Sequence, residues 1–347
     1  RIVGRTPALF LARDRLRVAL VAAPRGEPTQ ADVRAYALNT NSKQLLESLR
    51  TWPDAPFATA VKHMEVHGDV DGSVHFDAGA QGVDALAWIV DVPALEQRLA
   101  EAVRYQPQVE VVDSPVEAPL TAICEGRASA TRAEFGVDFD VTPYGQHALA
   151  TRLRCELPHG QVARQWFSAQ GILAFLPLEG ADGHSVAVVW SVAQADAAHW
   201  QSTDEATFIQ ALTDISQGSL GQLQLQGPRM AWPLQQAVAK RWCGPFPGTT
   251  EARQYPACGL ADVQALSRIL QMRGDWRSTG DLKLLPRYER ERKAGLVPLG
   301  LAMDGLQQLF TRSEAPVQTL RNWGLRSFER SGLLKDWTAR QAMGLPR

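Results

Sequence analysis

The sequence predicts a mixed α/β (α+β) fold: a β-α-β layer, an antiparallel sheet inserted in it, and C-terminal helices. Three observations predict it. Strand-length apolar runs and helix-period stretches alternate over residues 7–112. From His147 to Val192, apolar strands follow one another with only short turns between them. From Leu260 onward the apolar spacing is helical.

In chain order, Ile2-Val3-Gly4 is expected to end a short strand, Pro7 to Arg15 to form a helix and Leu16 to Val21 a buried strand. Leu38, Leu45, Leu46 and Leu49 form one stripe of a helix over 34–49. Val61 to Phe76 alternates and breaks at Gly68-Asp-Val-Asp-Gly72, the pattern of a hairpin. Pro93 to Tyr105 is an amphipathic helix, and Val109 to Val112 and Leu120 to Ile123 are short strands. An antiparallel sheet takes His147 to Cys155, Val162 to Phe167, Ile172 to Leu176 and Val186 to Val192. A helix over Asp204 to Ile215 carries its acidic residues in the first turn, where the helix dipole favours them, and Leu220 to Gln226 is a further strand. Cys243 to Cys258, rich in proline and glycine, is expected to be irregular loop. Helices are expected at 260–270, 281–310 and 316–343. The layer would comprise residues 1–60, 91–140 and 243–275, the inserted sheet 61–90 and 141–242, and the C-terminal helices 276–347.

Composition narrows the function. The chain has 347 residues and is 45% hydrophobic, enough for a large core and too much for a disordered chain. Its 36 basic and 37 acidic residues nearly cancel, which argues against a nucleic-acid binder. The cysteines at 124, 155, 243 and 258 have no paired spacing and suit a reducing compartment. No apolar run approaches the roughly 20 residues of a spanning helix, and the first residues lack the apolar core of a signal peptide. The expected location is therefore cytoplasmic, with at most peripheral membrane contact.

Few side-chain constellations suggest chemistry. His63 and His67 lie about 13 Å apart along one strand face, too far to share a metal ion. His159, in a turn after Pro158, suits a structural role. Asp182-Gly-His-Ser185 is a hairpin turn with no helix behind it, and so no nucleophile elbow. Arg287, Arg290, Arg292 and Lys293 are interleaved with Glu289 and Glu291, as on a salt-bridged helix face.

Three blocks carry a family resemblance. One is Arg34-Ala-Tyr-Ala-Leu-Asn39 with Ser42, Leu45-Leu46 and Trp52. Another runs from Tyr144-Gly-Gln-His-Ala-Leu149 through Pro158-His159, Ala163-Arg-Gln-Trp-Phe167 and Gly171-Ile-Leu-Ala-Phe-Leu-Pro-Leu178 to Trp190-Ser191. The third is Gly259-Leu-Ala-Asp-Val263 with Leu285 to Lys293, Asp304-Gly-Leu306 and Leu309-Phe310. Together they resemble the FAD-dependent hydroxylases of ubiquinone biosynthesis, the UbiH/UbiF-type group built like para-hydroxybenzoate hydroxylase. The resemblance implies a Rossmann-type FAD-binding layer, a substrate sheet over the flavin and C-terminal helices. It also implies a reaction in which reduced flavin and dioxygen hydroxylate a polyprenylated phenol or quinone precursor, the protein positioning and shielding the flavin.

Set against that pattern, the flavin elements depart. Aligned on Gly4, the motif G-x-G-x-x-G becomes Gly4-Arg-Thr-Pro-Ala-Leu9, with Thr6 and Leu9 for the later glycines. Ala22-Ala23 stand where an acidic residue would hold the ribose. Cys124-Glu125-Gly126 replaces the family's Ala-Asp-Gly. The stretch 244–259 lacks the Gly-Asp pair and keeps Gln254 and Gly259. Gly4, Arg34, Glu125, Gly126, Gln254 and Gly259 are thus the expected remnants of a FAD site, with FAD weak or absent. The implied role is an accessory, ligand-holding one in that pathway, beside the alternative of an active FAD- and NAD(P)H-dependent hydroxylase. No catalytic side chain and no metal site is assigned. Trp166, Phe175, Leu176 and Trp190 are expected to wall the substrate cavity. Leu306, Leu309, Phe310, Leu320, Trp323, Leu325 and Phe328 are expected to dock another pathway protein or the membrane edge.

Overall fold

The computed structural model describes residues 2–21, 31–68, 72–126, 131, 137–245, 252–254, 260–274, 276–281, 283–296 and single positions between 327 and 343. Helix α1 (Ile2–Arg13) opens the chain and leads into strand β1 (Val18–Val21). Strand β2 (Ala35–Leu38) precedes helix α2 (Thr40–Ser48), which Asn39 caps by accepting the Ser42 N–H at 3.0 Å. Strands β3 (Ala58–Val61), β4 (His63–His67), β5 (Ser73–Asp77) and β6 (Ala87–Asp91) follow, then α3 (Val92–Arg104), β7 (Val109–Val112) and β8 (Leu120–Ala122). Leu95, Leu99 and Val103, spaced four apart, give α3 one apolar stripe. That stripe packs against Leu9 and Ala12 of α1 and against Trp88 and Val90 of β6. β1 pairs parallel with β7, while β2 and β3 flank β6 antiparallel.

The large sheet is built from β9 (Phe139–Cys155), β10 (Val162–Ser168), β11 (Gly171–Leu178) and β12 (Ser185–Ala193), the strands expected from the alternating runs. Helices α4 (Gln194–Ser202) and α5 (Glu205–Ser216) follow, then β13 (Leu223–Leu225) and β14 (Met230–Ala239). The order is β13-β9-β12-β11-β10-β4-β5, with β14 also on β9. The hairpin β4–β5 joins through a parallel pairing of β4 with β10. The turn from β10 to β11 depends on Gly171 at φ +119°, where a Cβ would lie 1.8 Å from the Ser191 carbonyl oxygen.

Register separates the two faces of this sheet. Trp166, Leu173, Trp190 and Leu149 stand opposite one another across four strands and point to one side. There α4 and α5 cover them with Trp200, Phe208 and Leu212. The other side carries small residues (Ala163 and Ala187) with Leu176 and Leu178. It packs on Val61 of β3 and Ile89 of β6.

Beyond these, β15 (Cys243–Pro245) and β16 (Ala252–Gln254) pair with each other, and β16 runs parallel to β8. Helix α6 (Leu260–Gln271) and a helical stretch over 285–296 complete the described fold, with Val263 and Leu266 of α6 buried. Three expectations are corrected. Residues 2–4 are helical, residues 35–38 form a strand that Asn39 separates from its helix, and the stretch 243–258 holds two paired strands. The C-terminal residues Leu306 to Phe328 expected to dock a partner lie outside the described residues.

One ion pair joins the sheet to the layer. Asp91, at the end of β6, caps α3 through Oδ1, which accepts the Ala94 N–H at 2.9 Å. Its Oδ2 accepts Arg152 Nη2 at 2.5 Å, and Arg152 also donates to the carbonyls of Val33 (3.2 Å) and Arg34 (3.3 Å). Asp91 is 8% exposed, so removing the guanidinium leaves a buried carboxylate short of its partner. Arg152→Ala is expected to lower unfolding free energy by about 2–4 kcal/mol in urea titrations, and Arg152→Lys by less, since the ammonium lacks the forked donors. Gly171→Ala should cost more than the roughly 1 kcal/mol typical of a surface glycine, because it meets backbone.

Candidate cofactor and substrate site

Helix α1 begins at the carboxyl ends of strands β1 and β8. A Cβ on Gly4 would lie 3.6 Å from the Cys124 Cβ and 3.9 Å from Leu20 Cδ1. Gly4 therefore marks where the helix crosses the strand ends closely. In the dinucleotide motif that is the task of the third glycine. Counted back from Gly4 in that role, the second glycine falls on Arg1 and the first before residue 1.

This corrects the alignment that made Gly4 the first glycine. Thr6 and Leu9 are not turn positions. Both lie inside α1: Thr6 is 0% exposed with its hydroxyl donating to the Ile2 carbonyl at 2.8 Å, and Leu9 belongs to the core beneath α3. Neither side chain stands where a pyrophosphate would lie.

Gly4 has company at these strand ends. Glu125 and Gly126 follow β8 directly, Gly126 at φ +80°, and Glu125 accepts the Thr131 hydroxyl at 2.6 Å. Gln254 ends β16, in register with Ala122 of β8. Gly4, Glu125, Gly126 and Gln254 thus gather around one strand end, where an open parallel layer binds ligands, with the N–H groups of a helix N-terminus facing the same place. Arg34 lies within electrostatic reach of Glu96 of α3, whose carbonyl accepts Arg5 of α1 at 2.9 Å. The Arg34 guanidinium holds Asp32 in a fork (2.8 and 2.6 Å), and the Arg34 carbonyl is bound by Arg152. The hydrogen bonds from Arg34 hold the Asp32 carboxyl below its ordinary pKa, and the same pairing raises that of Arg34. Gly259 lies outside the described residues.

The expected cavity wall divides between two faces. Phe175 and Leu176 are neighbours on one strand and must point oppositely. Trp166, Phe175 and Trp190, at 5%, 1% and 0% exposure, pack under α4 and α5. Only Leu176 lies on the side facing β3 and β6. That side continues through Ala148, Ala150, Ala174 and Val189 to Met230 and Trp232 of β14, by register. Leu176, Val189, Met230 and Trp232 are partly exposed there. Met230 and Trp232 escaped the sequence reading because Pro233 hides the strand.

His159 is structural, as its position after Pro158 suggests. Its Nε2–H donates to the Leu178 carbonyl at 2.7 Å and its Nδ1 accepts the Gln161 N–H at 3.0 Å, which fixes a neutral ring. Burial holds its pKa below the ordinary histidine value. The cysteines at 155 and 243 are buried and free; burial, with a hydrogen bond to Glu289, pushes Cys243 up to about 12. Among the described residues no cluster of three metal-ligating side chains occurs, and no helix is long and apolar enough to cross a membrane.

Two outcomes follow from this geometry. Gly4→Ala should be tolerated, since its Cβ makes only ordinary contacts and helix propensity gains up to about 1 kcal/mol. Gly4→Leu should cost about 1–3 kcal/mol by prying the helix from β1 and β8; thermal melts decide. Because the folded protein keeps His159 neutral, its contribution is complete above the unfolded pKa of about 6.5 and declines as pH falls below it. Between pH 7 and 5, His159→Gln should flatten that decline in denaturation measured across the range.

Comparison with known proteins places this scaffold. No family model matches the chain. The 3-demethoxyubiquinol 3-hydroxylase of Escherichia coli is 25% identical over 99% of this chain and 96% of its own length. The ubiquinone hydroxylase UbiM of Neisseria meningitidis is 22% identical over 90% of this chain and 76% of its own. Among solved structures, the p-nitrophenol 4-monooxygenase PnpA of Pseudomonas putida superposes with a TM-score of 0.73, at 14% identity, over 99% of this chain and 96% of that one. HpxO of Klebsiella pneumoniae, solved with FAD and uric acid, gives 0.70 at 11% identity over 99% and 95%. By sequence along nearly its whole length the chain is a homologue of the ubiquinone-biosynthesis hydroxylases, and it has the fold of the FAD-dependent monooxygenases.

Proposed function

We propose that the chain binds a polyprenylated phenol or quinone precursor against the alanine-rich face of its large sheet, and binds FAD weakly at the strand ends beside Gly4. Its hydroxylase activity then depends on FAD supplied from solution. The observation that carries this reading is the gathering of the α1 N-terminus, Gly4, Glu125, Gly126 and Gln254 at one strand end. The α1 N-terminus and Gly4 fit the pyrophosphate end of a dinucleotide, with backbone N–H groups and a positive helix end. The ribose end fits less well. Ala22-Ala23 follow β1 where a carboxylate would accept the hydroxyls, and 244–259 has no Gly-Asp pair.

Bound FAD would supply the activation of dioxygen. The protein's own part is positional. The sheet face offers Leu176, Val189 and Trp232 to a phenol ring and its tail, while Arg152 and Asp91 hold that face over the layer. The missing carboxylate specifically favours a second reading: an accessory protein that holds the precursor without flavin.

Isolated protein should carry well under one equivalent of FAD and bind added FAD reversibly, as read by flavin fluorescence quenching. A charge-assisted hydrogen bond is worth about 1.5–3 kcal/mol, so Ala22→Glu should tighten FAD by about 10- to 100-fold. Near-stoichiometric FAD in the isolated protein would restore the ordinary hydroxylase. No quenching by wild type or by Ala22→Glu at saturating FAD would leave the accessory role.

A further inference from the structure

The layer has a second end, opposite the cofactor site, and its surface has an unusual composition. Helices α1, α3 and α6 all finish there. β1 and β7 start side by side, with the Val18 N–H donating to the Gln108 carbonyl at 2.9 Å, so the ends of α1 and α3 adjoin. The Asp14 carboxylate, just past α1, accepts Ser267 Oγ and Gln271 Nε2 at 2.9 Å each, which brings the end of α6 to the same place.

Tyr105, Met272 and Trp276 sit just past the ends of α3 and α6. At 76%, 73% and 81% they are the most exposed large apolar side chains among the described residues. Arginines surround them. The Arg277 guanidinium, paired with Asp281 at 3.2 Å, lies 4.8 Å over the Trp276 ring, and the exposed Arg104 lies 5.8 Å from Tyr105. Arg13 and Arg17 are exposed between β1 and the helix ends. Helix dipoles account for a basic residue in the last turn of each helix (Arg13, Arg104 and Arg268). They do not account for aromatic rings and a methionine left in water beside them.

We propose that this end of the layer docks on a bilayer surface rich in anionic headgroups. Trp and Tyr are the side chains that settle at a membrane interface, with an apolar body and a polar tip. Arginines beside them complement lipid phosphates, and arginine can lay its stem along apolar surface while its charge stays wet. A nucleic acid or an acidic protein would use the arginines but would not need Met272 exposed with the two rings. Docking here leaves the strand carboxyl ends facing away from the membrane. The surface chemistry stands apart from the flavin reading, because neither FAD nor substrate enters the readout.

The test is flotation of the full chain with vesicles of phosphatidylcholine alone or with added phosphatidylglycerol. Expected is binding to the anionic vesicles that weakens with added salt. Tyr105→Ser with Trp276→Ser should lower partitioning about tenfold. Arg17→Glu with Arg104→Glu should lower it at least as far. All four side chains are exposed, so every variant should keep a cooperative melt, with Arg104→Glu lower by a few degrees because it reverses the charge favoured at the end of α3. Equal binding to neutral vesicles, no binding to either, or variants that float like wild type would overturn the proposal. So would retention of the chain on a DNA duplex in the absence of vesicle binding.

Discussion

The carboxylate of Asp91 holds the architecture together because it serves two elements at once. One oxygen caps α3 and the other receives Arg152 from the large sheet. A single group at the end of β6 thus starts the helix that forms the layer's core and fixes where the sheet sits above it. Arg152 extends the link to the carbonyls of Val33 and Arg34. The segment entering β2 is therefore positioned by a residue from another sheet. In a partly buried setting each donor of such a cluster faces its own acceptor, so losing one member leaves a polar group short of its partner.

The two faces of the large sheet follow from that contact. Where the sheet meets β3 and β6, backbones approach closely, and the side chains between them are mostly alanine, with leucine and isoleucine at the contact. The bulk of the core must then come from the other face. Trp190, Phe175 and Trp166 supply it beneath α4 and α5, with the Trp166 and Phe175 rings 5.1 Å apart at 71°. The buried aromatics Trp166, Phe175 and Trp190 therefore mark the face covered by helices, while the alanine-rich face keeps Trp232 partly exposed. Reading a cavity from aromatics alone inverts the two.

Much of this was legible in the sequence, and the failures have physical causes. Strand alternation placed β10 to β12 and the second half of β9, missing Phe139 to Gln146, and the same alternation separates Phe175 from Leu176, which a list of apolar residues conceals. Asn39 is a helix cap by residue type, and a cap marks a boundary that a leucine stripe running on from Leu38 blurs. β14 was hidden by Pro233, β15 by its own glycine and proline, and β16 by the prolines and glycines on either side of it in the sequence, because those residues look like loop until a partner strand is known. Gly4 was misread for a different reason. A glycine-rich turn and a glycine at a close helix crossing look alike in one dimension. Only the contact with Cys124 and Leu20 shows which of the two this glycine serves.

The parallel layer gives its two ends opposite chemistry. Helices that run back from the carboxyl ends of the strands gather N–H groups and positive partial charge at one end, and C=O groups with negative partial charge at the other. The first end suits an anionic group, and there Gly4 and the backbone of Gln254 come to the end of β8. The second end attracts arginines to its helix termini; Arg268 pairs with Glu291 there, while Arg104 is exposed. An arginine-rich rim already favours anionic surfaces, so exposed rings beside it turn a stabilising feature into a surface able to hold lipid. One polarity, set by the direction in which three helices run, thus keeps the proposed cofactor end apart from the proposed docking end. It keeps the strand ends clear of whatever the opposite face touches.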